Sequence, residues 1–315
     1  MIVVCGEALF DVFPQQQTAT GIELSARIGG SPFNLTAGPA RLGAPALFFG
    51  GLSDDPFGRR LHAALAADGV DLSAAPRPTA ATALVLVSVD DRGVPVYTFY
   101  GAATAERMVQ LSDLERVPRD AAVIHVGSYC MVVEPVAATL RALVERQRNS
   151  SLIVYDPNVR LTIEPRVAVW RDALLWMLAR TDLLKVSEED IDALCPSLSI
   201  AAFIEQALDA GVALVVVTRG GQGVTAATAR VPALELAAVP VAVIDTVGAG
   251  DTFQAGLLAW LARAGHLTRQ SIEQLDRDAL ADALRFATRA AAITCSRRGA
   301  DLPYLDEVGA DPAVA

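Results

Sequence analysis

From Ala121 onward the chain keeps one rhythm: a short apolar run, a polar or glycine-bearing turn, then a stretch with apolar residues at helical spacing. The runs are Val123–Val126, Leu152–Tyr155, Leu183–Val186 and Leu214–Val217, with helical patterns around Val136–Arg148, Val169–Arg180 and Ala201–Ala210. Strands that alternate with helices pair in parallel and are covered on both faces. The expectation is an α/β fold whose sheet lies between two helical layers. Ligands in such sheets sit outside the C-terminal ends of the strands. The residues to inspect are therefore Gly127-Ser128, Asp156-Pro157-Asn158-Val159-Arg160, Ser187-Glu188-Glu189-Asp190 and Thr218-Arg219-Gly220-Gly221.

A more pointed stretch runs from Val239 to Leu261, VPVAVIDTVGAGDTFQAGLLAWL. Val239–Ile244 reads as a strand, and Phe253, Leu257, Trp260 and Leu261 fall at helical spacing, with Gly265 as a stop. The glycines between them allow a tight turn and expose backbone amides where a helix begins, which favours an anion, most often a phosphate. Asp251 stands beside that anion hole. Its spacing fits an N-cap, and it equally fits a base that takes a proton from a hydroxyl attacking a phosphoryl group.

In the N-terminal part, Ile2–Ala8 reads as a buried strand leading to Asp11, and Ile22–Ile28 as another. Gly29-Gly30 opens a turn into a helix around Leu35–Leu42, where Asn34 offers both a donor and an acceptor. Ala46–Gly51 is a further strand, and the acidic residues of SDDPFG read as helix caps. Leu84–Val89 and Val94–Tyr100, joined by Asp90-Asp91-Arg92-Gly93, form the strongest hairpin signal, and with Ile22–Ile28 they make a small inserted sheet. Val308–Ala315 reads as a loose tail.

Several classes of chemistry are excluded. A net charge of −10 opposes nucleic-acid binding. No apolar run approaches the roughly 20 residues that span a bilayer. Lys185 is the only lysine, so there is no P-loop. His62, His125 and His266 are scattered, without a zinc-site spacing. Cys5, Cys130, Cys195 and Cys295 lie far apart and read as reduced thiols of a cytoplasmic protein. The fold rhythm would also suit a dinucleotide oxidoreductase, but no GxGxxG is present.

DTVGAGDTF resembles the C-terminal signature D-T-x-G-A-G-D-x-F of the ribokinase-like (PfkB) sugar kinases. GG-x-x-x-N running into LTAGPARLGA resembles their N-terminal signature, and DPNVR and VTRGGQG resemble their DPN-x-R and V-T-x-G-x-x-G segments. The likeness spans about Ile2 to Ala300. It implies one ribokinase-like domain over 1–315, with a mostly parallel central sheet flanked by helices and a β-sheet lid from about 12–33 and 83–106. The implied activity is transfer of the γ-phosphate of ATP to a sugar hydroxyl, with magnesium and a monovalent cation such as potassium as cofactors. Carried over by position, Asp251 is the base and Gly248, Ala249 and Gly250 form the anion hole. Asp11, Gly30, Asn34 and Arg160 face the sugar, while Lys185, Ser187, Thr218, Gly220 and Gly223 serve the nucleotide. Asp245, Val247, Thr294 and Gly299 give oxygens to the monovalent cation. Where the family has N-x-x-E, this chain has Ser187 and Asp190, which keep the polarity with a shorter reach. Within the family, GGSPFNLTAGPARLG, FGGLSDDPFGRRL and VPVYTFYG look most like the bacterial fructokinase branch, which implies fructose as acceptor, with 2-keto-3-deoxygluconate next, then ribose or a nucleoside, and a nucleotide-binding, non-catalytic regulator as the alternative of another class. Expected partners are small-molecule sugar and ATP, with no nucleic acid or membrane, and a homodimer formed through the lid.

Overall fold

The computed structural model describes residues 1–89 and 95–309. Its strands are β1 (Ile2–Cys5), β2 (Leu9–Gln17), β3 (Ile22–Gly29), β4 (Ala46–Phe49), β5 (Ala83–Val89), β6 (Pro95–Tyr100), β7 (Val123–Gly127), β8 (Leu152–Asp156), β9 (Leu183–Ser187), β10 (Leu214–Thr218), β11 (Val224–Thr228) and β12 (Leu234–Leu236). The helices are α1 (Ser31–Arg41), α2 (Pro56–Ala67), α3 (Val136–Gln147), α4 (Val167–Leu178), α5 (Glu188–Leu194), α6 (Ile200–Asp209), α7 (Ala249–Arg263), α8 (Arg269–Glu273), α9 (Arg277–Cys295) and α10 (Leu305–Val308).

The central sheet has the order β12-β11-β10-β9-β8-β7-β1-β4. Six strands from β10 to β4 run parallel, and β11 and β12 continue the edge antiparallel. Alternate side chains on each strand point to opposite faces, which divides the core in two. Ile2, Val4, Val154 and Val216 pack with α1, α7 and α9 on one face. Val3, Cys5, Ile153 and Val215 pack with residues of α3, α4 and α6 on the other. The four strands read after Ala121 are all present and parallel, as the rhythm predicts.

The lid is a separate sheet of order β3-β2-β5-β6. Its register places Arg27, Asp11, Val85 and Phe99 in one row across the four strands, on one face. The opposite face carries Ile22, Leu24, Val96 and Tyr100, all exposed. The connecting turn Asp90-Asp91-Arg92-Gly93 and Val94 lie outside the described residues, as do 310–315.

Three sequence expectations need correction. Ile2–Ala8 is not one strand: the chain breaks at Gly6 (φ 142°) and Leu9 onward belongs to the lid, so β2 starts before the expected boundary. Val239–Ile244 is not a strand either. Pro240 removes a ladder donor, and Ile244 and Asp245 instead donate to the Cys295 carbonyl at 2.8 and 3.3 Å. Val243 and Ile244 are left 63% and 61% exposed. Val308 is no tail residue but the buried end of α10. The acids of SDDPFG do include a cap, since Asp55 accepts the Gly58 amide at the start of α2. Among the described residues no helix is long and apolar enough to cross a membrane.

Candidate active site

The turn before α7 is built on Gly248, which has φ 77° and lies so close to Ala300 that an added Cβ would stand 2.5 Å from the Ala300 Cβ. Only glycine meets both conditions. The helix therefore starts at Ala249, and Asp251 is its third residue, so Asp251 is not the N-cap. Its carboxylate accepts two hydrogen bonds from the beginning of α1, Ser31 Oγ at 2.6 Å and Asn34 Nδ2 at 2.8 Å. Two helix N-termini, each positively polarised, thus converge on one carboxylate. Each oxygen retains capacity to accept a further hydrogen. First-turn amides lack intrahelical acceptors, although the Ala249 amide turns back to the Thr246 carbonyl at 3.2 Å.

Beneath this turn lies Lys185, buried on β9, its Nζ 2.8 Å from Asp156 Oδ2. A Cβ on Gly250 would sit 3.3 Å from that Nζ. Burial alone would lower the lysine pKa, but the carboxylates of Asp156, Asp190 and Asp251 outweigh it and hold the ammonium charged. His125 is driven down to about 3 by burial, with the Lys185 charge adding to the effect, so its ring is uncharged at neutral pH.

A cavity of about 580 Å³ opens in front of Asp251, between the strand ends and the inner face of the lid. Asp11, Phe13, Val85, Val87, Tyr97 and Phe99 of the lid close one side. Gly30, Asn34, Gly248 and Gly250 form the opposite wall, with Glu7, Ser128 and Arg160 at the strand ends. Burial pushes Asp11 up to about 6, against the pull of Arg160. Burial pushes Glu7 up to about 7, opposed by hydrogen bonds with Ser128 and Cys130 and by Arg160.

The fold thus gathers Asp251, Gly248, Gly250, Asp11, Gly30, Asn34, Arg160 and Val247 around one space. Asn34, expected at the sugar, is buried and gives one of its two amide hydrogens to Asp251. Lys185, Ser187, Thr218, Gly220, Gly223 and Ala249 do not line that cavity. Ser187 and Asp190 cap α5 reciprocally, and Asp190 Oδ1 also accepts the Val159 amide at 2.9 Å, which fixes the DPNVR segment. Among the described residues no group of three His, Cys, Asp or Glu side chains could hold a metal ion. Asp245, Val247 and Gly299 meet at a second cavity of about 230 Å³, which also includes Arg27 and Arg298. The Asp245 carboxylate there accepts the amides of Val247 (3.1 Å) and Gly299 (2.8 Å). The Thr294 hydroxyl points elsewhere, to Thr252 Oγ1 at 2.9 Å. A third cavity, about 430 Å³, lies between Leu236–Val239 and Arg285, Thr288 and Arg289 of α9.

Sequence reasoning passed over Glu7 and Ser128 as site residues. Reading Ile2–Ala8 as one strand hid Glu7, and the Gly127-Ser128 strand end was noted without a role.

The model of the pfkB family carbohydrate kinases matches residues 1–307. A fructokinase of Rhizobium leguminosarum bv. trifolii is 35% identical over 89% of this chain and 85% of its own length. A fructokinase of Klebsiella pneumoniae is also 35% identical, over 98% and 97%. Among solved structures, fructokinase with bound ATP from Xylella fastidiosa superposes with a TM-score of 0.86 at 28% identity, covering 98% of this chain and 96% of that one. Fructokinase from Vibrio cholerae O395 in a fructose-, ADP- and calcium-bound form gives 0.81 at 26% identity, covering 99% and 97%. With a match running from the first strand through α10 and the same architecture throughout, the chain belongs to the pfkB family of carbohydrate kinases.

Proposed function

We propose that this protein is a fructokinase, transferring the γ-phosphate of ATP to a hydroxyl of fructose with Asp251 as the base. The observation that carries this reading is the Asp251 carboxylate, fixed by Ser31 and Asn34 at the first turn of α7, facing a cavity large enough for a sugar. A hydroxyl bound there gives its proton to Asp251 as its oxygen attacks the γ-phosphorus. The bond to the leaving phosphate breaks, and charge on the transferred group falls on the amides of Gly248–Gly250 and the positive end of α7. The lid keeps water, the competing acceptor, away from the reacting phosphoryl group.

The nucleotide would approach from the far side of that turn. Thr218, Gly220 and Gly223 offer a polar loop, and the third cavity with its exposed apolar neighbours Val239 and Val241 suits a base. Ser187 and Asp190 are the residues that would hold magnesium, through water, beside the nucleotide phosphates, and the ion would supply neutralisation of phosphate charge there. Asp245, Val247 and Gly299 are the residues that would hold potassium. Activity should then rise with potassium over a tetramethylammonium control, and a flat response would remove that site.

Acceptor identity turns on charge. Three carboxyl groups, Glu7, Asp11 and Asp251, line the cavity against one guanidinium, Arg160, so a neutral sugar is favoured over a sugar acid. The test is kcat/KM for fructose against 2-keto-3-deoxygluconate, with Arg160→Ala alongside. The sugar acid winning by about tenfold or more, with Arg160→Ala abolishing that preference, would make fructokinase the wrong assignment. The apolar outer face of the lid (Ile22, Leu24, Val96 and Tyr100) supports a homodimer. A monomer in light scattering at micromolar concentration removes it.

A further inference from the structure

Two groups at the strand ends take no part in the reaction described above. Glu7 and Ser128 lie just past β1 and β7, and these neighbouring parallel strands mark the place where the strand order reverses. The crevice beyond such a switch point is where α/β sheets hold ligands. Glu7 is 2% exposed and contributes to the cavity wall, yet its Oε2 has no hydrogen-bond partner. A buried acceptor without a donor is costly unless something supplies one.

Ser128, which shares that wall, is an independent sign. Its backbone has φ 55° and ψ −163°, a region that glycine enters freely and other residues enter only under strain. A serine there adds one thing to what glycine would give, a hydroxyl beside the Glu7 carboxyl. Strain of this kind collects at ligand sites.

We infer that Glu7 and Ser128 form a hydroxyl-recognition subsite, in which the free Glu7 carboxyl oxygen accepts a hydrogen bond from a sugar hydroxyl other than the one phosphorylated. Ser128 Oγ makes the second contact. This deepens the sugar-kinase reading and rests on it. Arg160, whose charge acts on both Glu7 and Asp11, closes the group on the side of the DPNVR segment.

The experiment compares wild type, Ser128→Gly, Glu7→Gln and Glu7→Ala on fructose and on a series of monodeoxyfructoses. Ser128→Gly relieves the backbone, so Tm should hold or rise while KM for fructose rises about tenfold and KM for ATP stays. Glu7→Gln should raise KM for fructose about tenfold and Glu7→Ala more. Wild type should reject one deoxy analogue by about 100-fold or more in kcat/KM, and the Glu7 variants should reject it by less than about tenfold. Lowered Tm with unchanged KM for fructose would overturn the inference, as would equal penalties in wild type and variants for every analogue. If wild type leaves fructose untouched, the fructose assignment fails by itself. The same comparison on deoxy forms of the sugar it does accept then decides the subsite.

Discussion

Replacing Asp251 by Asn isolates the base, because the geometry around it can absorb the change. The carboxylate receives one hydrogen bond on each oxygen, from Ser31 Oγ and Asn34 Nδ2. An asparagine can keep both: its carbonyl oxygen accepts from the Asn34 amide, and its own amide donates to the serine hydroxyl, which can reverse its role. What is lost is charge assistance in two hydrogen bonds, about 1 kcal/mol each, so folding should survive with Tm lowered by a few degrees. Proton acceptance is lost entirely, and a positioned base is worth about 10²–10⁴ in rate, or about 3–5 kcal/mol of barrier. Turnover is read by coupled ADP release, and fructose and ATP affinities by calorimetry on the same preparation. Affinities within about threefold of wild type, with kcat down by the stated factor, are expected. A kcat within about threefold of wild type would falsify the assignment and leave Asp251 as a side chain that merely ties α7 to α1.

Other perturbations test separate parts of the design. Glu7 titrates near 7 in the fold against 4.5 ordinarily, so the folded state binds its proton more tightly. The stability this brings is complete below pH 4.5 and is lost as pH rises through 7, about 3 kcal/mol in all. Glu7→Gln should therefore gain on wild type by that amount between pH 4.5 and 8 in denaturant titrations, and a constant difference would contradict it. Gly248→Ala and Gly265→Ala form a matched pair, both at φ 77°, but only the first would drive its Cβ against Ala300. The first should lose more Tm and about tenfold or more in kcat. Equal losses would mean that the close approach at Gly248 is unimportant. Lys185→Met should cost about 3–5 kcal/mol by stranding Asp156, and Lys185→Met with Asp156→Leu should recover most of it. A single variant as stable as wild type would show that the pair contributes nothing.

What could be read in advance was whatever is encoded locally. Val123–Val126 and its three successors are apolar on both faces apart from His125 and Lys185, a pattern that suits burial in a parallel sheet, so their positions came out within a residue. The glycine turn before α7 was legible for the same reason, since positive φ and exposed amides are demands that a few residues state by themselves. Segments whose fate depends on a distant partner read poorly. Val239–Ile244 has strand composition, but its amides find the end of α9 and not a neighbouring strand. β11 was missed because Thr225 and Thr228 dilute its apolar pattern, although both are buried. Nothing near Asp251 announces that Ser31 and Asn34, more than two hundred residues upstream, hold it. Glu7 was hidden inside an apolar run, and only the break at Gly6 frees it to face the cavity.

The same non-local assembly explains how a chain with one lysine and a net charge of −10 can manage a phosphoryl group. Arginine or lysine side chains reaching into the site would carry a large entropic cost to fix and would pull on Asp251. Here Arg160 is the one such side chain lining the cavity, and the rest of the positive potential comes from parts that are already rigid. The N-termini of α1 and α7 meet at Asp251, and the buried Lys185 ammonium lies behind Gly250, anchored by Asp156. In a site partly closed to water, such fixed dipoles and charges need no reorganisation as charge develops. Because Lys185 stands behind the backbone, it would polarise the turn without competing for the proton that Asp251 takes in the proposed reaction. The arrangement separates two tasks that conflict when placed on the same surface: holding an anion, and keeping a carboxylate beside it able to act as a base.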